Sequence, residues 1–163
     1  MIIFIAVLAL GLIGFILHLF LSKSPKTLYR ITHLFLLYQL AFSVGLASLL
    51  AFYGLTFMTE FVAVYSGWPT CPFEKLLGNV NLAFGILGLL SIWMSDDFKF
   101  ATILGVSIWL LADAVTHLAD IYYNQNYTPG NAGVPLYTDI IIPIILLGNF
   151  ALYKYLKRKH RLI

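Results

Sequence analysis

The chain has few charged residues and a single cysteine. Only 10% of its 163 residues are charged, whereas soluble domains carry about 25%. Hydrophobic residues make up 61%, which is more than a soluble fold of this size could cover, because roughly a third of its surface would still face water. The composition excludes a soluble enzyme, a disordered segment and a nucleic-acid partner. The lone Cys71 excludes an internal disulfide framework.

Several familiar motifs are also absent from the sequence. It contains no glycine-rich phosphate loop, no His-Glu-x-x-His and no Gly-x-Ser-x-Gly. Zinc-protease and hydrolase templates therefore find no support. Regularly spaced arginines of the kind found in voltage sensors are missing as well.

Long apolar runs are abundant instead. A helix that crosses a bilayer needs about 20 mainly apolar residues, and the segments that qualify are 2–21, 31–58, 76–94, 100–123 and 140–156. We therefore predict an all-α integral membrane bundle of about five transmembrane helices, built as one domain over residues 1–163. Its first partner is the lipid bilayer.

The basic residues predict an orientation. Lys and Arg accumulate in cytoplasmic loops, and with five crossings nine of the ten fall on one side of the membrane: Lys23, Lys26, Arg30, Lys99, Lys154, Lys157, Arg158, Lys159 and Arg161. Only Lys75 falls on the other side. This distribution predicts an outer N-terminus and a cytoplasmic C-terminus. The basic C-terminal segment is expected to anchor the last span against anionic lipid, and docking of a partner is the alternative.

The fourth span carries ionisable residues, which are costly in hydrocarbon and indicate a functional site. Asp113, His117 and Asp120 are spaced i, i+4 and i+7, so they share one face of the helix. Asp113 lies roughly 15 Å below the outer end of the span. Histidine and carboxylates bind divalent metals and exchange protons, so this ladder predicts either a metal site or a proton path.

Other polar residues are predicted to join the ladder in one outward-facing pocket. Asp139 opens the fifth span, and the third span has a face of polar residues and glycines that lets another helix approach closely. The supporting candidates are Glu74, Asn81, Asn131 and Tyr137. The outer segment 59–73, which contains Trp68, predicts an interfacial loop or short helix. The outer loop 124–138 is rich in turn formers and could cover the site.

Structural interpretations of the same residues remain open. Glu74 suits a first helical turn, and Asp139 suits a helix start. Asp120 could be solvated at the interface, and Asp113 could be a protonated carboxyl that donates to a neighbouring helix. On the cytoplasmic side, His18 and His33 are expected at the interface, where they could also form a pair.

The pattern of motifs resembles a known family. The residues concerned are Gly67-Trp68-Pro69, His117, Pro129-Gly130-Asn131-Ala132-Gly133 and Tyr137-Thr138-Asp139, with Pro143. They are similar to an uncharacterised prokaryotic family of small multi-span membrane proteins of unknown function. The resemblance implies a multi-span helical fold in the plasma (inner) membrane of a prokaryote, and it implies no activity.

Three functions are compatible with these observations. The first is a pocket that binds a divalent metal, with Mn, Fe, Zn or Cu favoured by the imidazole, or that relays protons, possibly during transport. The second is a membrane-embedded metalloenzyme acting on a lipid-soluble substrate. The third is an accessory or scaffold subunit of a membrane complex. Glycine-rich helix faces also predict a homo-oligomer or a larger complex.

Overall fold

The computed structural model describes residues 2–160, which form helices and connecting turns with no strand among them. The helices are α1 (Ile2–Leu21), α2 (Leu28–Phe57), α3 (Thr59–Ser66), α4 (Phe73–Leu90), α5 (Asp96–Asn124) and α6 (Val134–His160). All except α3 are long and apolar enough to cross a membrane. The predicted all-α, five-span architecture is confirmed at this level. Arg161, counted above with the basic residues, lies outside the described part of the chain.

Most of the helices begin or end at residues other than those predicted from the apolar runs, because capping residues and prolines set the helix ends. Thr27 and Ser95 cap α2 and α5, and their hydroxyl oxygens accept from backbone amides at 3.3 Å. Helix α6 begins at Val134, six residues before the predicted span. Pro135 suits its first turn, where a proline lacks only an amide that has no helical partner. Asp139 consequently lies in the second turn rather than at the helix start, and Pro143 lies well inside the helix.

The core forms where α2, α5 and α6 meet. It is built from apolar side chains of all three helices: Leu36, Leu40, Val44, Ile103, Val106, Leu146, Phe150 and Tyr153. Helix α1 packs against α2 and exposes most of its side chains. Helices α5 and α6 are antiparallel and pack against each other, and both contribute side chains to this core.

The glycine face of α4 packs against α2. A Cβ on Gly88 would lie 2.6 Å from the backbone nitrogen of Gly45, and one on Gly85 would lie 2.7 Å from a side-chain carbon of Leu49. Around Gly45, α2 widens into a π-helical stretch over Gln39–Leu46. The close approach predicted from the glycines is present, and its partner is α2 rather than the fourth span.

The α5–α6 pair has two ends, which we call the loop end and the tail end. The loop end holds α3, the C-terminus of α5 and the connection 125–133. The tail end holds the N-terminus of α5 and the C-terminal turns of α6. These names describe the molecule alone, and the orientation in a membrane stays a prediction.

Candidate polar site at the loop end

The connection between α5 and α6 is tied to α3 by backbone acceptors. Asn126 Nδ2 and Thr128 Oγ1 both donate to the carbonyl of Ser66, at 2.8 and 2.7 Å. The amide of Gly130 donates to the carbonyl of Tyr65 at 3.0 Å. A side chain on Gly130 would collide with that same carbonyl, at 2.6 Å from its Cβ. The turn formers noted in the sequence thus fix this connection over the end of α5.

His117 lies at the centre of the site and is 7% exposed. Its Nδ1 lies 2.7 Å from Oδ1 of Asn131, a side chain with no exposed surface. The side-chain nitrogen of Asn131, Nδ2, donates to the carbonyl of Asn126 at 2.8 Å. Oδ1 is therefore the atom that faces the imidazole. An amide oxygen only accepts, and therefore Nδ1 of His117 carries the proton. In the neutral ring, Nε2 then presents its lone pair.

Asp139 of α6 faces that lone pair. Its Oδ2 lies 3.6 Å from Nε2 of His117, and the two side chains are only 14% and 9% exposed. This separation is too long for a hydrogen bond and short enough for an ion pair if the imidazole gains a proton. Four residues along α6, Pro143 has no amide to donate to the carbonyl of Asp139. The helix therefore leaves this carbonyl without its usual partner beside the site.

Trp68 divides the predicted ladder into two parts. Its indole ring stacks on His117, with ring centroids 5.2 Å apart and 16° between the planes. Its Nε1 donates to Oδ2 of Asp120 at 2.7 Å. Asn124 and Asn126 donate to the same carboxylate at 2.6 and 2.7 Å. Asp120 is therefore a well-satisfied carboxylate that positions Trp68 and the connection, and the indole separates it from the open nitrogen of His117.

Asp113 lies one helical turn deeper than His117 on the same face of α5. It is half-buried and lies within electrostatic range of His117 and Asp139. Within residues 2–160 its carboxylate receives no hydrogen bond. It lies about 16 Å along the axis from the loop end of α5. The two acids that flank His117, Asp113 and Asp139, thus both lack hydrogen-bond donors among the described residues.

Two other predicted site residues have partners elsewhere, and a third is exposed. Asn81 donates to the carbonyl of Leu77 in its own helix, at 3.0 Å. Oε1 of Glu74 accepts from the backbone amide of Cys71 at 3.2 Å, as expected of a first-turn acid. Tyr137 is 61% exposed. None of the three bonds to His117, since the glycine face that carries Glu74 and Asn81 turns toward α2.

The histidines of the first two spans also have separate partners. His18 Nδ1 lies 3.2 Å from the hydroxyl of Tyr38, and His33 stacks on Tyr153 at 4.9 Å. Across the described residues, no group of three or more His, Cys, Asp and Glu side chains is close enough to hold a metal ion. His117 with Asp139 is the nearest approach to such a group that the site offers.

Sequence reasoning missed two contributors to the site. The sequence alone indicates an interfacial aromatic residue at Trp68 and a polar loop around Asn126, and neither pattern reveals these contacts. Their roles depend on contacts with residues 52 and 60 positions away in the chain. The signal that could have found them is the cluster of amide side chains that directly follows the acid-bearing helix.

Comparison with known proteins identifies the family. The model of the family of unknown function DUF6790 matches residues 1–159. The chain belongs to the DUF6790 family. No curated protein and no solved structure matches it. The DUF6790 match covers every residue of the loop-end site. Because the function of the family is unknown, a functional assignment depends on the chemistry of that site.

Proposed function

We propose that this DUF6790 protein takes up and passes on protons through the loop-end site, as part of a transport process across the plasma membrane of a prokaryote. The observation that carries the proposal is the buried His117, whose Nε2 lone pair faces Asp139 at 3.6 Å while Asn131 holds Nδ1. The basic residues support an outer N-terminus and a cytoplasmic C-terminus. The loop end then faces outward.

The chemistry of the pair suits proton transfer. Neutral imidazole accepts a proton at Nε2, and the resulting cation is stabilised by the carboxylate of Asp139 across the same gap. The Nδ1 donor to Asn131 holds the ring in one tautomer, so the accepting nitrogen always faces α6. Asp113, one turn deeper and without a hydrogen-bond donor in residues 2–160, is the next group that a proton could reach.

Ionisable groups inside a membrane are costly, and this cost favours a functional role. A purely structural carboxylate in the same bundle, Asp120, collects three donors. Asp113 and Asp139 collect none among the described residues, although both lie in spans. Carboxylates without donors keep their lone pairs free, as a site that repeatedly gains and loses protons needs.

The test is proton uptake by liposomes that contain the purified protein. A potassium diffusion potential drives protons inward, and a trapped pH-sensitive dye reports their arrival. We expect uptake above that of protein-free liposomes for the wild type, and a return to that background for His117→Gln and Asp139→Asn. Tyr137→Phe, an exposed site on the same helix as Asp139, should match the wild type. Equal uptake by wild-type and protein-free liposomes would overturn the proposal.

A divalent metal is a second candidate ligand for the same pair. Tetrahedral Zn²⁺ places its nitrogen and oxygen ligands about 2.0–2.2 Å from the ion, and hence about 3.4 Å from each other. The 3.6 Å between Nε2 and Oδ2 is close to this value. Ligating histidines also donate their other ring nitrogen to a fixed acceptor, as His117 does to Asn131. Mn, Fe or Cu would use the same two groups, with water completing the site.

Elemental analysis separates the two candidates. Purified protein would be incubated with Mn, Fe, Zn or Cu and freed of excess ion, beside His117→Ala and Tyr137→Phe. Near-stoichiometric metal in the wild type and in Tyr137→Phe, lost in His117→Ala, would assign the pair to metal binding. To assign the protein as a membrane-embedded metalloenzyme, turnover of a lipid-soluble substrate would also have to be measured. Absence of metal from all three samples would contradict the metal alternative.

A further inference from the structure

A second polar cavity lies at the tail end, away from His117 and Asp139. It has a volume of about 580 Å³ and opens between the C-terminal turns of α6, the start of α5 and the first turns of α2. Binding pockets for small molecules and cofactors commonly enclose about 300–1,000 Å³. The cavity is therefore of a size that holds a ligand, and the loop-end function makes no use of it.

Cationic side chains dominate the cavity. Lys154, Lys157 and Arg158 line it together with two carboxylates, Asp96 and Asp97. Directly behind the wall, the buried ammonium of Lys99 donates to the carbonyl of Met94, another lining residue. Three cations thus line the cavity against two acids.

The three lining cations outnumber the two acids, so the lining keeps one net positive charge. Asp96 offsets part of the charge of two of these cations, to which it is bound. Its Oδ2 accepts from Lys157 at 2.7 Å and from Lys154 at 3.2 Å, and its Oδ1 accepts from the hydroxyl of Tyr153 at 3.0 Å. These bonds fix the two ammonium groups at the cavity wall. Each ammonium has three donor positions, so both retain N–H groups for a further acceptor. The guanidinium of Arg158 adds a planar fork that matches phosphate oxygens.

Aromatic rings that stack on one another also line the cavity. His33 stacks on Tyr153 with 4.9 Å between centroids, and Tyr29 stacks on Tyr153 at 5.7 Å. Both Tyr29 and His33 line the cavity. Their hydroxyl and ring nitrogen offer neutral hydrogen bonds beside the cationic groups. This combination of fixed cations and neutral donors is typical of a site for an oxyanion.

The position of the cavity identifies the source of the anion. The turn between α4 and α5 carries Trp93, which is 76% exposed and adjacent to the lining residue Met94. Exposed tryptophans at the ends of transmembrane helices lie at the level of the lipid headgroups. The cavity therefore opens at the depth where phospholipids present their phosphates. We propose that the tail-end cavity binds the phosphate group of an anionic phospholipid.

The two neighbouring cations of α6 provide a matched test. Arg158 and Lys159 are both exposed, but only Arg158 lines the cavity. The full chain, purified in detergent, would be titrated with dioleoylphosphatidylglycerol and observed by native mass spectrometry. We expect Arg158→Gln to weaken lipid binding about tenfold, the equivalent of one charge-assisted hydrogen bond. Lys159→Gln removes the same charge and should leave the affinity unchanged. Arg158→Lys keeps the charge but loses the planar fork, so its affinity should fall between those of the wild type and Arg158→Gln.

Two further titrations identify the ligand. Dioleoylphosphatidylcholine has a phosphate but no net negative charge and should bind more weakly than the anionic lipid. A titration with inorganic phosphate measures the affinity for the free anion. Saturation by inorganic phosphate with no preference for the anionic lipid would overturn the lipid source and leave a soluble anion as the ligand. Equal losses in Arg158→Gln and Lys159→Gln, or no binding of any of the three, would overturn the cavity as a phosphate site.

Discussion

The two ends of the α5–α6 pair each hold a largely buried carboxylate, and the two carboxylates differ in the number of hydrogen-bond donors around them. At the tail end, Asp96 receives hydrogen bonds from two lysines and a tyrosine. At the loop end, Asp139 receives none within residues 2–160 and faces the imidazole of His117 at 3.6 Å. The same two helices thus contain one carboxylate that is saturated with donors and one that is not.

Under the proposed function, this contrast separates residues that hold the fold from residues that exchange protons. A carboxylate with a full set of donors stabilises the folded state, and its loss leaves those donors unpaired. A carboxylate without donors contributes little to the fold and keeps its capacity for a proton or an ion. Asp120 belongs with Asp96 in this respect, although it lies at the loop end.

The largest expected loss of stability comes from the scaffold that both ends share. In Gly88→Ala, the new Cβ would meet the backbone nitrogen of Gly45 at 2.6 Å, and backbone cannot rotate away. We expect the free energy of unfolding, measured by titration into SDS, to fall by about 3 kcal/mol, the upper end of overpacking penalties. Gly148→Ala, where nothing lies within 4 Å of the added carbon, is the matched control and should not destabilise. A similar loss in both variants would contradict the close packing of α2 against α4.

A smaller loss is expected at the saturated carboxylate. Asp96→Asn weakens the bonds to Tyr153, Lys154 and Lys157 together, so the same titration should show a fall of about 2 kcal/mol, the value of one or two hydrogen bonds to a charged group. The adjacent Asp97 is exposed, and Asp97→Asn should change stability by less than about 0.5 kcal/mol. Equal effects of the two substitutions would remove the contrast between the ends.

The sequence predicted the parts of this structure that follow from local pattern. Apolar run length predicted the five spans, and i, i+4 spacing placed Asp113 and His117 on one face of α5. Glycine spacing predicted the close approach of α4 to another helix. Each of these depends on residues within one helix, and the periodicity of a helix is regular enough to be extrapolated.

The parts that were not predicted depend on which helix lies opposite. The sequence gives no indication that the glycine face of α4 meets α2, and for this reason Glu74 and Asn81 were expected beside His117. The division of the ladder by Trp68 likewise requires the position of a residue from a separate segment. Hydropathy also placed the start of α6 at residue 140, because Pro135, Thr138 and Asp139 interrupt the apolar pattern although residues 134–139 are helical.

Removing one donor from the other saturated carboxylate should have a smaller effect. Trp68→Phe retains an aromatic ring over His117 and loses the bond from Nε1 to Asp120, so we expect about 1.5 kcal/mol of destabilisation. Asn124 and Asn126 still hold the carboxylate. Trp93→Phe, at an exposed tryptophan, serves as the control. A loss as small as that of the control would show that Asp120 is held without the indole.

The smallest change in stability is expected at Asp139, where the comparison between the ends becomes decisive. In Asp139→Asn, the new amide can donate to the lone pair of Nε2 on His117, so the pair becomes a neutral hydrogen bond and the fold loses almost nothing. We expect the free energy of unfolding to change by less than about 0.5 kcal/mol, while proton uptake in liposomes falls to background. Asp96→Asn should give the reverse: a less stable protein in which the molecules that remain folded still take up protons. If Asp139→Asn instead destabilised the protein as much as Asp96→Asn, Asp139 would be a structural acid like Asp96, and the lack of donors would no longer distinguish a functional carboxylate in this bundle.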